Sequence, residues 1–401
     1  MQYIESKFPP ELLSDASEKK LDYFKKKIVS HPHLVQSYNL ALDCIEFSEK
    51  GELVWIVGPA GVGTTQIVRR LWKDTSNAPS EPDEDGMAAP TTATVVVDAP
   101  DNAERINTQY WIRLLGDLLH AHGDVLIDRK IYVPPSQFTL THPIPYADPR
   151  NRNFDTLKHA AISMLKHRQT QLLLINQADR LFPESHPSGC LQSLQILRDL
   201  AAQTDTRIVL IGSYQLARTA CTRNNWLHRQ HTVHLRRYDP TDSDEFNAYA
   251  RTLINLLAHM PTEQRMETLS LEGAKKICIS TVGCIGTLKR TLTRAFQHAL
   301  RTGEKMTEDF ILQFTPYNTV AREIARDAMH GERLLLDVSL DDVRSVLNAT
   351  NPGASSGTGN SSNRSAPKKT TGTQGGFNQR RIGERNSSRD PAGGAYGPRR
   401  T

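Results

Sequence analysis

The sequence is poor in cysteine and has no long apolar run. Its 401 residues include five cysteines, and none of them lies in a Cys-x-x-Cys pair. We therefore expect no disulfide framework and no metal site, and the thiols should be reduced as in the cytoplasm. No uncharged apolar stretch reaches about 18 residues, so no membrane span is expected. The first residues also lack the pattern of a secretory signal.

The net charge of +5 is distributed unevenly along the chain. From residue 351 onward, nine Lys and Arg face two acidic residues, which gives +7 there and leaves −2 for residues 1–350. Gly, Ser, Thr and Asn dominate residues 351–401, so this segment cannot bury enough apolar area to fold. We predict a disordered basic tail that binds nucleic acid through phosphates, docks on a protein partner, or keeps the chain in solution.

Four short apolar runs alternate with amphipathic segments between residues 51 and 238. The first run is Leu53–Val57, and the others lie in "TATVVVDAP", "QLLLINQ" and "RIVLIGS". Continuous apolar strands separated by helices are typical of a parallel sheet covered on both faces. We therefore predict an α/β domain over residues 51–238, preceded by a helical segment at residues 1–50.

The pattern after Tyr238 is all-helical. Four amphipathic segments follow one another, and we predict a small helical lid and C-terminal helices over residues 239–350. Residues 124–152 carry five prolines and no clear period, so we interpret them as an irregular insertion in the α/β domain.

The stretch "WIVGPAGVGTT", which begins at Trp55, has the form of a phosphate-binding loop with one residue changed. The usual pattern is G-x-x-x-x-G-K-[ST], and a threonine stands here at the lysine position. The backbone amides of such a loop bind phosphate without any side chain, and the last hydroxyl holds Mg²⁺. The candidate nucleotide-binding residues are Gly58, Pro59, Ala60, Gly61, Val62, Gly63, Thr64 and Thr65, the last of which would also bind Mg²⁺.

The third apolar run ends in Asn176 and Gln177, where ATPases of this architecture have Asp and Glu. The Asp binds Mg²⁺ through water and the Glu activates the attacking water. An amide can hydrogen-bond a water, but it cannot neutralise a metal ion or accept a proton. Together with Thr64, these residues predict a retained fold that has lost hydrolysis and binds ATP and Mg²⁺ weakly or not at all. The same acid-to-amide changes are also used to block such sites deliberately, so a natural and an engineered origin both remain open.

The order of these motifs resembles that of the AAA+ regulators of Tn7-like and Tn5053-like transposons, the TniB/TnsC type. The resemblance covers about residues 25–315 and includes "HPHLVQSYNLALDCI", "LLLINQADRL", "RIVLIGSYQLA" and "VGCIGTLKR". It implies an AAA+ fold, in which a P-loop sheet domain is followed by a helical lid. The sequence departs from the family at Thr64, Asn176 and Gln177.

The resemblance also assigns roles to side chains outside the loop. Ser213, after the fourth apolar run, matches the sensor-1 residue that approaches the γ-phosphate. Arg229 matches the arginine finger offered to a neighbouring subunit's nucleotide, with Arg223 as a second choice. Lys289 matches the sensor-2 position of the lid, and Arg290 lies next to it.

The family further implies partners. Its members assemble as rings or filaments on double-stranded DNA, receive a signal from a TniQ-type target selector, and recruit a DDE transposase. A chain with this altered site would form a homo-oligomer without nucleotide, hold nucleotide weakly, or form a hetero-oligomer with an intact AAA+ paralogue. Two alternatives remain: an active but atypical ATPase of the same family, and a P-loop-derived scaffold without a DNA role.

Overall fold

The computed structural model describes most of the chain up to residue 335. The described residues are 2–76, 93–101, 107–123, 154–183, 185, 187–221, 230–264, 266–335, 341, 344 and 345. The predicted insertion at 124–152 and the predicted tail at 351–401 lie outside them. The chain divides into two units, Met1–Asp337 and Val338–Thr401, and every element named below belongs to the first. Among the described residues, no helix is long and apolar enough to cross a membrane.

Strands and helices alternate in the first part of the chain, and helices dominate the second. The elements up to residue 234 are β1 Gln2–Tyr3, α1 Ser17–Lys26, α2 Pro32–Phe47, β2 Leu53–Val57, α3 Thr64–Thr75, β3 Thr94–Asp98, α4 Thr108–Ala121, α5 Phe154–His167, β4 Leu172–Asn176, α6 Pro187–Thr204, β5 Arg207–Gly212, α7 Tyr214–Cys221 and β6 Gln230–His234. The later elements are α8 Ser243–Ala258, β7 Thr268–Leu269, α9 Leu271–Ser280, α10 Ile285–Thr302, α11 Glu308–Leu312 and α12 Asn318–Leu335.

Five strands form one parallel sheet in the order β3-β4-β5-β2-β6. The predicted parallel sheet is thereby confirmed, and all four predicted strands belong to it. The fifth strand, β6, was not predicted from the sequence. Its residues, "QHTVH", are mostly polar, and Thr232 is exposed, so β6 lacks the continuous apolar run by which the other strands were predicted.

Helices cover both faces of the sheet, as predicted. Successive residues of a strand point to opposite faces. In β2, Leu53, Trp55 and Val57 pack against the layer formed by α4 to α7. Val54 and Ile56 point the other way, into a second core with α2 and α3. The alternation within one strand thus builds two separate cores, which explains why β2 is fully buried.

The helices that follow Tyr238 form a third core, which confirms the predicted helical lid. Residues of α8 to α11 pack together, and Ile4, Phe24 and Val29 from the N-terminal segment join them. The two-residue strands β1 and β7 pair antiparallel and fix the start of the chain to the lid. The helix α2, in contrast, packs on the sheet through Leu34 and its neighbours. The N-terminal segment therefore runs from the lid core to the sheet core.

The helix α12 returns from the lid to the α/β domain and packs on α7. Arg218 of α7 forms an ion pair with Asp327, and Arg237 pairs with Glu332 at 2.9 Å. A methyl group at Gly331 would overlap the buried ring of Tyr214, so α12 approaches α7 at a residue without a side chain. The helix α7 was not predicted from the sequence, whereas α12 lies within residues 239–350, where C-terminal helices were predicted. Together they join the end of the lid to the sheet.

Candidate functional site

The predicted site residues meet at the carboxyl edge of the sheet. The loop after β2 contains Gly58 to Thr65, Ser213 follows β5, and Asn176 ends β4. Because β5 lies between β2 and β4, Ser213 separates the loop from Asn176. Neighbouring strands are about 4.8 Å apart, so these groups are within reach of one bound nucleotide.

The loop between β2 and α3 has the backbone of a phosphate cradle. Gly61 and Gly63 adopt positive φ values of 83° and 120°, which favour glycine. The first amides of α3 have no acceptor within the helix, and the helix dipole adds positive potential at this end. Thr64 is half-buried and Thr65 is exposed. The backbone part of the site is therefore retained, while the position of the missing lysine is occupied by a neutral side chain.

The lid contacts this loop directly. The amide of Thr287, in the first turn of α10, donates to the carbonyl oxygen of Gly61 at 2.9 Å. A Cβ atom at Gly286 would lie 2.5 Å from that oxygen, and one at Gly61 would overlap the Thr287 hydroxyl. Glycines on both sides thus allow the two backbones to touch. The "GVG" and "CIGT" segments form one contact between the sheet domain and the lid.

Asn176 is engaged by a carboxylate that the sequence analysis did not single out. Its Nδ2 donates to Oδ1 of Asp98, the last residue of the neighbouring strand β3, at 2.7 Å. Gln177 is exposed and has a left-handed backbone with φ of 55°. The position of Asp98 at the end of the second apolar run was a signal that could have identified it.

Ser213 is held by a second unpredicted acid, Asp179. The amide and the hydroxyl of Ser213 both donate to Oδ1 of Asp179, at 2.6 and 2.9 Å. A Cβ at Gly212 would lie 2.6 Å from the same oxygen, so the glycine permits this approach. Asp179 follows Asn176 by three residues in "NQAD", and that spacing was visible in the sequence. The hydroxyl of Ser213, the predicted sensor-1 residue, is therefore bonded within the protein.

The side chains at this edge do not fit a Mg²⁺ site. Mg²⁺ in nucleotide sites is bound through carboxylates and phosphates. Here the two expected acids are the amides of Asn176 and Gln177, and the nearby carboxylates Asp98 and Asp179 accept hydrogen bonds from the protein. The described residues contain no group of three or more His, Cys, Asp or Glu that could hold a metal ion. The hydroxyl of Thr65 is the remaining predicted ligand.

A cavity of about 300 Å³ lies between the loop, the lid and the segment that follows α1. One set of its lining residues is apolar: Ile28, Val29, Leu34, Leu256 and Ile285. Another set is basic: Lys25, Lys27, Arg69, Lys289 and Arg290. No Asp or Glu occurs among the described residues that line it. His31 also lines it, but burial, followed by the proximity of His33, lowers the pKa of His31 to about 4.

The predicted sensor-2 residue Lys289 is tied to the N-terminal segment. Its Nζ donates to the carbonyl oxygen of Phe24 at 2.5 Å and lies 3.4 Å from the centre of the Phe24 ring. Arg290 lies beside the loop, with Nη2 3.5 Å from the position of a Cβ on Gly61. Of these two lid side chains, Arg290 therefore lies beside the phosphate loop. Arg229 and Arg223 lie outside the described residues.

Lys289 should make stability depend on pH. Burial, and then the charge of Lys27, lower its pKa to about 7, although the Phe24 ring favours the charged form. Between pH 7 and the ordinary lysine pKa the unfolded chain binds more protons than the folded one, so stability rises with pH. Relative to Lys289→Met, the wild type should gain at most about 1.4 kcal/mol per pH unit in this range.

The measurement is urea unfolding of both proteins at pH 6 to 9. The ionisable side chains around Lys289, namely Lys25, Lys27, Arg290 and His259, are present in both proteins, so the comparison isolates the effect of Lys289. Parallel stability profiles for the two proteins would contradict the lowered pKa.

Comparisons with known proteins agree with this geometry. Residues 48–220 match the model of the AAA domain family. The matched segment runs from the residues before β2 to α7, and so contains the phosphate loop, Asn176 and Ser213. An AAA domain implies a P-loop nucleotide-binding site, which typically works with Mg²⁺. No curated protein matches the chain.

Several solved structures resemble this chain over most of its length. A Walker-type ATPase of Pyrococcus abyssi is 13% identical with a TM-score of 0.43, and the match covers 78% of this chain and 76% of that one. The ORC2 protein of Aeropyrum pernix is 13% identical with a TM-score of 0.45, covering 82% and 78%. Domain III of the replication initiation protein DnaA of Thermotoga maritima is 12% identical with a TM-score of 0.37, covering 73% and 95%. With TM-scores below 0.5, none of their functional properties is transferred to this chain.

Proposed function

We propose that this protein is a non-hydrolysing AAA adaptor of transposition, which assembles on duplex DNA and connects a TniQ-type target selector to a DDE transposase. The loss of hydrolysis is inferred from the two side chains at the carboxyl end of β4. Asn176 is hydrogen-bonded to Asp98, and exposed Gln177 cannot accept a proton from water. The assembly role comes from the motif order, which resembles the TniB/TnsC regulators.

In the TniB/TnsC family, nucleotide lies between adjacent subunits and holds them together. A chain with Thr64, Asn176 and Gln177 keeps the fold but has lost three charged groups from that nucleotide site. It therefore forms a homo-oligomer without nucleotide or with weakly held nucleotide, or a hetero-oligomer with an intact AAA+ paralogue.

Binding to duplex DNA is expected to be weakly dependent on sequence and strongly dependent on salt. The mechanism is neutralisation of phosphates with release of counterions, which gives a slope of log affinity against log salt of about −0.9 per contact. The measurement is a gel shift at several salt concentrations with the full chain. The matched control is a full-length variant in which the nine Lys and Arg after residue 351 are changed to Gln.

The slope of log affinity against log salt shows which part of the chain contacts DNA. A shallower slope for the neutralised variant places DNA on the tail, whereas an unchanged slope places it on the folded part of the chain. No shift at low salt for either protein would refute the DNA role and favour a P-loop scaffold. Co-purification with a DDE transposase and a TniQ-type protein in the presence of DNA tests the link itself.

A further inference from the structure

We propose that the cavity beside the phosphate loop binds a nucleoside polyphosphate without a divalent cation, because basic side chains supply the charge that Mg²⁺ and the loop lysine supply elsewhere. The side chains are Lys25 and Lys27 of the N-terminal segment, Arg69 of α3 and Arg290 of the lid. This inference rests on the AAA domain of the proposed function and is independent of its DNA role.

The charge of the side chains around the cavity favours an anionic ligand. Among the described residues, none of these four side chains has an ion pair with a carboxylate, and no Asp or Glu lines the cavity with them. Their neighbours on the same helices are paired: Lys26 with Asp22 at 2.7 Å, and Arg70 with Asp74 at 3.6 Å. Cations are thus balanced outside the cavity and left unbalanced around it. A bound anion would relieve their mutual repulsion.

The cationic side chains are arranged around the phosphate loop. The amino end of α3 faces the cavity through Thr64 and Thr65, and its unbonded amides attract phosphate. Arg290 lies beside Gly61, on the lid side of the loop, and Arg69 lies one turn further along α3. Lys25 and Lys27 lie across the cavity, on the segment that the bond between Lys289 and Phe24 holds against the lid. The charges therefore surround the loop from three elements.

The rest of the cavity is apolar and suits the base of a nucleotide. Five apolar side chains from the N-terminal segment, α2, α8 and α10 line the same cavity, and a volume of about 300 Å³ lies at the lower end of the range for small-molecule sites. Buried His31 is neutral because its pKa is lowered to about 4, so it adds no charge to this part. An apolar part beside a cationic part suits a base attached to phosphates better than an inorganic anion.

The amides at the carboxyl end of β4 also favour a polyphosphate that is bound without a divalent cation. With Asn176 and Gln177 in place of carboxylates, the edge of β4 offers Mg²⁺ no charge to replace its water. The polyphosphate is then neutralised by protein cations alone. Free ATP, which carries more negative charge than its magnesium complex, should bind at least as tightly as the complex.

The experiment measures ATP binding to the full-length protein by equilibrium dialysis, once with Mg²⁺ and once with EDTA. We expect binding in EDTA to be at least as tight as with Mg²⁺. The double variant Lys25→Gln/Lys27→Gln should weaken binding about tenfold or more, as should Arg69→Gln on another element, because each removes charge-assisted contacts to phosphate. The matched control is Lys26→Gln, which lies between the two lysines, outside the cavity, and should bind ATP as the wild type does.

Competition identifies the part of the ligand that is recognised. Inorganic triphosphate should displace ATP, while AMP should displace it poorly. Binding that requires Mg²⁺ and disappears in Asp98→Asn would overturn the inference and assign a metal ion to Asp98. Unchanged affinity in both Lys25→Gln/Lys27→Gln and Arg69→Gln would also overturn it. No ATP binding under either condition would overturn it as well, while a DNA shift in the same preparation would leave the adaptor role standing.

Discussion

The wild-type protein is expected to turn over no ATP, while the variant Thr64→Lys/Asn176→Asp/Gln177→Glu is expected to bind ATP with Mg²⁺ and hydrolyse it. The loop backbone and the strand order are retained, so the three charges return to the carboxyl edge of the sheet, on the phosphate loop and at the end of β4. Loss of a general base alone costs on the order of 10²–10⁴-fold in rate. The absent lysine and metal ligand add to this loss by leaving the transferring phosphoryl group less stabilised.

Phosphate release and ATP affinity are measured for the wild type, for Thr64→Lys and for the triple variant. Thr64→Lys alone should raise affinity most, since charge-assisted contacts contribute about 1.5–3 kcal/mol each. Turnover by the wild type above roughly one per second, a typical enzyme rate, would refute the loss of hydrolysis. A triple variant that folds and hydrolyses no ATP would mean that the loop has diverged at more than one residue.

Because Asn176 is hydrogen-bonded to Asp98, the stability of the triple variant should depend on Mg²⁺. In the triple variant, the Asn176→Asp change places a carboxylate 2.7 Å from Oδ1 of Asp98, so the two acids repel unless a cation or a proton lies between them. The protein with that change should therefore be less stable in EDTA than with Mg²⁺. Adding Asp98→Asn reverses donor and acceptor and provides the matched control, which should restore stability without metal.

The sheet and the lid could be predicted from the sequence because both depend on local apolar patterns. Leu53–Val57 is a strand in any context that buries both of its faces, and the segment "GTLKRTLTRAFQHAL" has an apolar stripe that needs a partner. The phosphate loop was predictable from its glycine spacing, because Gly61 and Gly63 have positive φ values, which favour glycine. The edge strand β6 was not predictable, because partial exposure removes the apolar run.

The pairing of site residues could not be predicted, because the partners lie far apart in the chain. Asn176 and Asp98 are 78 residues apart, and Lys289 and the Phe24 carbonyl are 265 apart. No local period contains such a contact. The position of Lys289 in its motif suggested a phosphate ligand, whereas in the fold its ammonium is bonded to α1 and Arg290 lies beside the loop. The sequence thus identified the residues at the site, but it did not identify the groups to which they are hydrogen-bonded.

The junction between the sheet domain and the lid is concentrated at Tyr238. Its hydroxyl is 3.0 Å from Nδ1 of His31, its ring stacks on His33 with centroids 4.1 Å apart, and its amide donates to the Gly283 carbonyl at 3.1 Å. Gly283 belongs to the turn between α9 and α10, where Val282 and Gly283 both have positive φ, 56° and 66°. The turn therefore fixes where α10 begins, and α10 is the helix that contacts the phosphate loop.

Gly283→Ala is expected to lower the free energy of unfolding by about 2–5 kcal/mol. A left-handed alanine costs about 1–2 kcal/mol, and an overpacked contact adds about 1–3 kcal/mol. The added methyl would overlap the Tyr238 carbonyl oxygen, and Tyr238 is fixed by the hydrogen bond from its amide to Gly283 and by the stacking of its ring on His33. The matched control is Gly303→Ala, with φ of 73° and no atom within 4 Å of the new methyl, which should cost only the backbone part. Urea unfolding of both variants measures the difference, and equal losses would mean that the turn adapts and does not set the position of the lid.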